Sequence, residues 1–299
     1  MTARRVPSDL PFYVAAAVLG GGYLLLIVAM VAAEATFTSL PVIGRLAKNE
    51  NIRFSVVLTL VSSAVTTVLC LWSATPLAYF LARWDEAAWG RWVDEHVPVP
   101  GVDWALKRLR AAIDAVIDIP VVLPPLVVGI CLLVLFQRLP IGEGVRRQIV
   151  YEAPAVVIAQ YAVSCAFAVR ALRATFDQID PRAERVALTL GCSRAQAFFR
   201  VALPQARRGM VTAAALAWAR AVGEFGPILV FAGATRLRTE VLSTSVFLYL
   251  STGELAEAVA VSLLMIGAAM FVLVLMRVND WRSLLSPFRW LVMLVRSGV

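Results

Sequence analysis

Two charged side chains, Arg220 and Glu224, stand in a run that is otherwise free of charge from Gly209 to Phe231. Four residues apart, they share one face of a helix and can pair. On a helix at mid-membrane each costs about 2.5 to 3.5 kcal/mol, so either the pairing itself or a task must keep them there. A fixed guanidinium can attract an oxyanion briefly, and a neighbouring carboxylate keeps that anion from being held too tightly. Gly223, Phe225, Gly226 and Pro227 surround the pair. Glycine and proline loosen or kink a helix where backbone must move or another chain must come close. This places the pair on a face where backbone moves or meets a close neighbour. The sequence leaves the structural reading and the anion-handling reading both open.

Other chemistries find little material. His96 is the only histidine, which removes most metal and acid–base constellations. No HExxH or GxSxG occurs, so an enzyme embedded in the membrane has no recognisable centre. Cys70, Cys131 and Cys165 fall in apolar spans and Cys192 in a turn, none in a CxxC pair, which indicates neither a disulfide framework nor a zinc site. No GxxxxGK[ST] is present, so the chain is not expected to bind ATP itself.

The elements that must position Arg220 and Glu224 follow from composition. With 60% hydrophobic and 16% charged residues over 299 positions, and a mean hydropathy of +0.79, the chain reads as an all-helical polytopic membrane protein. Six spans are predicted: 12–33, 54–82, 115–136, 153–169, 209–231 and 258–276. The third carries Pro120, Pro124 and Pro125 in its first half, breaks that lipid tolerates only where neighbours or water satisfy the freed carbonyls. A cleaved signal peptide is the rival reading of the first span, but its apolar run is too long for one, and retention is expected.

Between spans, residues 34–53 read as a polar connection and 83–114 as an interfacial loop with Trp84, Trp89, Trp92 and Trp104. After the sixth span Arg282, Arg289 and Arg296 recur at sevens, which reads as a basic amphipathic helix on the anionic inner leaflet. With the N-terminus inside, nineteen Lys and Arg fall on the inner side and eight on the outer. Both termini are then cytoplasmic, and topology accounts for the net charge of +8 without nucleic acid.

One stretch interrupts the apolar segments, DPRAERVALTLGCSRAQAFFRVALP from Asp180 to Pro204. Asp180 and Pro181 read as a helix start, and Gly191 supplies the left-handed turn that ends the helix. Ser193 and Gln196 form a second capping box, and Pro204 is expected to stop the second helix. The two short helices carry Val186, Leu188, Leu190, Ala197, Phe198 and Val201 among several arginines. A hairpin lying on the bilayer surface would satisfy that pattern.

The run from Glu184 through Ala187 to Gly191, closing on Leu203-Pro204, resembles the coupling motif of ATP-binding-cassette importer permeases. Arg185-Val186 stand where that motif usually has Ala-Ala. IPVVLPPLVVG and WARAVGEFGPILVFAG are similar to segments of the permeases for molybdate, tungstate and sulfate. The likeness covers about 54–276. It implies a type I importer permease fold, with Glu184, Ala187, Gly191, Ser193, Phe198 and Pro204 at the contact with a cytoplasmic ATPase. It also implies that Arg220, Gly223, Glu224, Phe225, Gly226, Pro124 and Pro125 belong to a translocation pathway.

The partners implied are a second copy of the chain, an ATPase dimer, an extracytoplasmic substrate-binding protein and the lipid of the inner membrane. No cofactor is expected in this chain, ATP and magnesium belonging to the ATPase. The organisation expected is an N-terminal helix and outer loop at 1–53, a permease core at 54–277 and a basic tail at 278–299. About twenty-three residues follow the sixth span, too few for the soluble cargo-binding domain some relatives carry. The alternatives are a permease for iron, phosphate or polyamine, or a secondary transporter, which would not need the glycine-hinged hairpin.

Overall fold

The computed structural model describes residues 10–83 and 102–278, and every regular element among them is helical. The long apolar runs became α1 (Leu10–Phe37), α3 (Glu50–Ala82), α7 (Ala153–Gln178) and α13 (Leu255–Val278). By length and composition these are four membrane spans, or five if one bent pair counts as a span. The span predicted at 115–136 is that pair, α4 (Val102–Val122) and α5 (Pro125–Arg138), bent by 112°. Two adjacent prolines cause it. Neither can donate a backbone hydrogen bond, and Pro124 is extended at ψ 134°.

The span predicted at 209–231 is also broken. It consists of α10 (Leu203–Val222) and α11 (Gly226–Phe231), separated at Gly223–Phe225. Three further differences concern length. The connection at 34–53 holds α2 (Leu40–Lys48) and the start of α3, α7 continues to Gln178 so that Arg170 and Arg173 lie on a helix, and helix begins again at Val102. Trp84, Trp89, Trp92, His96 and the basic tail with Arg282, Arg289 and Arg296 lie outside the described residues. The remaining helices are α6 (Glu143–Ile149), α8 (Arg182–Thr189), α9 (Arg194–Ala197) and α12 (Leu242–Ser251).

The centre is α7, flanked by α3 and α10. Small residues meet there: Ala74 and Ala78 on α3, Ala168 on α7, and Ala206, Ala213 and Ala217 on α10 are fully buried. Without a hydrophobic drive between helices in lipid, such close approach is what gives them dispersion contact. Around the other end of α7, Ala155, Val156 and Ala159 pack with Ile228 and Phe231 of α11 and with Leu132, Leu133 and Phe136 of α5.

Along α3, Ser55, Thr59, Ser62, Ser63, Thr66 and Thr67 form a buried polar face. Thr59 Oγ1 donates to the Ser55 carbonyl at 2.6 Å and accepts from the Leu242 amide at 2.9 Å, so it satisfies a first-turn N–H of α12. Thr66 donates to Gln160 Oε1 at 3.1 Å and ties α3 to α7. By contrast α1 keeps its surface outward, with Leu19 78% exposed, and touches the body through α13, where Ser262 donates to Glu34 at 3.3 Å.

Candidate functional site

The predicted hairpin is present. Asp180 Oδ1 accepts from the Arg182 amide at 2.9 Å and starts α8. Gly191 then takes φ +92°, with its amide on the Leu188 carbonyl and the Cys192 amide on the Ala187 carbonyl. This is the left-handed closure that a glycine allows at low cost. The Ser193–Gln196 capping box forms in both directions, at 2.9 and 3.2 Å, and starts α9.

Pro204 does not end the second helix. The chain passes from α9 through a π-helical turn, Phe198–Ala202, directly into α10, and Pro204 sits exposed in the first turn of α10. The Leu203 amide reaches back to the Phe198 carbonyl, and the Gln205 side chain donates to the Val201 carbonyl at 3.1 Å. The wider turn makes room for a ring that would collide with an α-helical carbonyl.

Glu184 and Phe198, both expected at an outer contact, face inward. Glu184 is 6% exposed, with Oε2 accepting from the Tyr79 hydroxyl at 2.6 Å and Oε1 from Arg83 Nη2 at 2.8 Å and Nε at 3.1 Å. Phe198 packs its ring 4.6 Å from that of Tyr79 and 6.4 Å from that of Phe176. The outward apolar surface is instead Val186 and Leu190, 57% and 80% exposed, with Ala187 half-buried beside them. Tyr79 and Arg83 escaped the sequence reading. Arg83 showed only as the first charge after a long uncharged span, and nothing in the spacing joins it to a carboxylate a hundred positions on.

The residues expected along a pathway come together at the two helix breaks. Gly226, buried, lies against Pro125 and Leu126, and Gly129 lies against Pro227 and Val230. A Cβ on Gly226 would fall 2.9 Å from Pro125 Cβ, and one on Gly129 would fall 2.9 Å from Pro227 Cα. The α4–α5 break and the α10–α11 break therefore interlock. Phe225 packs at a tilt against Phe247 with ring centres 5.3 Å apart, and the Glu224 carbonyl accepts from the Ser243 hydroxyl at 2.7 Å, holding the unwound segment to α12.

Arg220 and Glu224 pair, with Nη1 and Oε2 2.8 Å apart but without the alignment of a hydrogen bond. The guanidinium lies 5.8 Å over the Phe167 ring. Their exposure differs from expectation. Glu224 is 1% exposed, turned into its own chain where the helix ends at Gly223, so it does not line an outer face. Gly223 is exposed, and the Arg220 side chain is 30% exposed. Only the basic member of the pair reaches the surface.

The two groups of residues occupy opposite ends of α10. Its twenty residues place the hairpin about 30 Å from the break at Gly223. What is done to one end of a rigid helix is felt at the other. Among the described residues no group of three or more His, Cys, Asp or Glu side chains could hold a metal ion.

Comparison with known proteins identifies the family and the fold. The family described as binding-protein-dependent transport system inner membrane component matches residues 104–282. The molybdenum transport system permease protein ModB of Mycobacterium tuberculosis is 33% identical over 271 residues, covering 89% of this chain and 93% of its own length. ModB of Azotobacter vinelandii is 34% identical over 67% of this chain and 82% of its own. The sulfate transport system permease protein CysT of Escherichia coli is 29% identical, covering 72% and 77%. Among solved structures, a chain of a bacterial ABC transporter for import of the acidic polysaccharide alginate superposes with a TM-score of 0.63 at 16% identity, covering 91% of this chain and 97% of that one. The same kind of transporter in complex with a pentasaccharide-bound periplasmic protein gives 0.64.

Proposed function

Because the chain belongs to the family of binding-protein-dependent transport system inner membrane components, we propose that it is the permease of an ATP-binding-cassette importer for molybdate, tungstate or sulfate. Relatives named for molybdenum, for molybdate and tungstate, and for sulfate support that cargo class. The observation that carries the mechanism is the continuity of helix from the Ser193 cap to Val222, which joins an outward apolar hairpin to a broken-helix junction.

In this reading Val186 and Leu190 dock on a cytoplasmic ATPase, which binds ATP and magnesium. This chain does no chemistry of its own. ATP-driven displacement of the hairpin moves α10 as a rod. The motion arrives at Gly223–Gly226, where the backbone is already unwound, and is shared with Pro124–Pro125 through the interlock. That junction is the bistable element. Two copies, each supplying one hairpin to a two-ATPase motor, enclose the pathway, with both termini in the cytoplasm and a binding protein delivering the anion from outside. Arg220 presents a positive charge near the break, and Glu224 behind it limits how tightly an anion is held.

The test is reconstitution in proteoliposomes with the ATPase subunit and the binding protein, offering labelled molybdate, tungstate, sulfate and phosphate. ATP-dependent accumulation of one of the first three is expected. Uptake that survives without ATP and stops when ion gradients collapse would overturn the assignment in favour of a secondary transporter.

A further inference from the structure

The hairpin has two arms, and they are anchored by different means. The second arm is fixed by covalent continuity with α10. The first, α8, is a single helix of eight residues between turns, too short to be rigid by its own hydrogen bonds. Its outward side exposes Val186 and Leu190 among Arg182 and Arg185, and three residues link it to α7, so its orientation against the membrane helices depends on what its inward side grips.

That grip is Arg83. Its side chain is 11% exposed and lies just past the end of α3. Nε and Nη2 bind Glu184 on α8, while Nη1 donates to the Phe176 carbonyl at 3.1 Å and Nη2 to the Ile179 carbonyl at 3.0 Å, both at the end of α7. One guanidinium thus joins α3, α7 and α8. Tyr79, one turn earlier on α3, adds its hydroxyl to the same carboxylate and its ring to Phe176 and Phe198, 5.5 and 4.6 Å away. Charge-assisted bonds in a partly dry site resist shear more than the apolar contacts around them.

We infer that Arg83 is a positioning residue for coupling, through which movement of the hairpin reaches α3 and α7 at the same time as α10. The hairpin then has a side-chain attachment in addition to its chain links. Without Arg83, α8 is held only by the three residues that join it to α7 and by the Gly191 turn, and it can shift between them while α3 stays still. With Arg83 in place, the ends of α3 and α7 follow it, and the three central helices tilt together. This inference rests on the reading of the hairpin as the ATPase contact.

The experiment uses the whole complex in proteoliposomes and records three quantities for each variant: ATPase retained on the permease, ATP hydrolysis, and anion moved per ATP hydrolysed. Arg83→Gln removes the charge-assisted bonds. It is expected to retain the ATPase and hydrolyse ATP within about twofold of the parent while transport per ATP falls by at least about tenfold, the scale of even one of the charged hydrogen bonds it loses. Tyr79→Phe deletes a single hydroxyl without altering the ring packing, and it should lower the same ratio by a smaller factor. Arg83→Glu combined with Glu184→Arg should recover part of the loss.

A parental ratio in both Arg83→Gln and Tyr79→Phe sinks the inference. So does loss of the ATPase from these variants with an unchanged ratio in what remains assembled, because that is the mark of a purely structural role. Val186→Asp with Leu190→Asp tests the underlying reading separately. If that double variant still holds the ATPase, the hairpin assignment fails and takes the role of Arg83 with it, an outcome distinct from a parental ratio in the Arg83 and Tyr79 variants of a complex that does dock through Val186 and Leu190.

Discussion

Gly209 on α10 and Thr175 on α7 meet with no space between them: a Cβ on Gly209 would lie 2.0 Å from Thr175 Oγ1 and 2.6 Å from Thr175 Cβ. The Thr175 hydroxyl is itself engaged, donating to the Ala171 carbonyl at 2.8 Å. Gly209→Ala must therefore push the two helices apart, and overpacking of this kind costs about 1 to 3 kcal/mol. Thr175→Ala leaves the Cβ in place and should rescue it only in part, whereas Thr175→Gly should rescue it well. The midpoint of thermal unfolding in detergent for the two double variants measures the difference. Equal rescue by both would show that the clash is with the Thr175 hydroxyl and γ-methyl and not with its Cβ.

Gly129 and Gly226 predict a different phenotype, because they join two breaks and not two intact helices. Gly129→Val sets a branched side chain against Pro227 and Val230, where even a Cβ comes within 2.9 Å. On the proposed reading, in which the ATPase docks at the remote hairpin and the junction moves, the expected outcome is a complex that keeps its ATPase yet transports at less than about a tenth of the parental rate, the effect of roughly 1.4 kcal/mol or more of misfit. Comparison of pull-down with uptake decides it. Loss of both together would mean that the interlock supports assembly in general.

At Gly191 the space is open and only the backbone is special. No atom lies within 4 Å of a would-be Cβ, while φ is +92°. Gly191→Val should reshape the turn at a cost of about 1 to 2 kcal/mol or more and release the ATPase, and Gly191→Asn, which tolerates that conformation better, should release it less. ATPase retention on membranes carrying each variant is the readout. Equal retention by both would remove the left-handed turn from the docking geometry.

Arg220 and Glu224 separate stability from transport. Glu224→Leu alone leaves the guanidinium without its charge partner, and breaking a fully buried pair costs about 3 to 5 kcal/mol, less here because Arg220 is partly exposed. Arg220→Met with Glu224→Leu removes both charges and should restore the unfolding midpoint. If Arg220 handles the anion, the restored double variant still hydrolyses ATP but no longer transports. Full transport by a stable double variant would reduce the pair to an internal tie.

The sequence exposed the hairpin because its signals are local: a cap, a glycine and a second cap fall within fourteen positions of one another, and each acts on its own neighbours. The same is true of the prolines at 124 and 125, whose power to break a helix was evident although the size of the bend was not. What could not be read were relations between distant residues. Glu184 has the identity the coupling motif calls for, but its inward direction is not legible, because the residue that turns it inward, Arg83, meets it only once α3 and α8 are side by side. Pro204 misled for another reason. Its ordinary effect holds for an α-helix, and the π-helical turn before it changes the rule. The buried hydroxyl face of α3 was also hidden, since serine and threonine leave a span uncharged and thus unremarked.

The bend between Val122 and Pro125 also bears on how the chain enters the bilayer during synthesis. The segment Pro125–Arg138, with fourteen residues, is about 21 Å long, short of the roughly 30 Å of a hydrocarbon core. Released sideways into lipid on its own, it leaves the carbonyls of Pro120 and Val121, whose helical donors would be the amides that Pro124 and Pro125 lack, without those partners, which the membrane does not tolerate. Its closest support is Gly226–Phe231, a segment still unmade when Arg138 leaves the ribosome. Biogenesis therefore cannot settle the helices one at a time in chain order: the first half of the junction must wait in a sheltered, incompletely inserted state until the second half arrives to complete it.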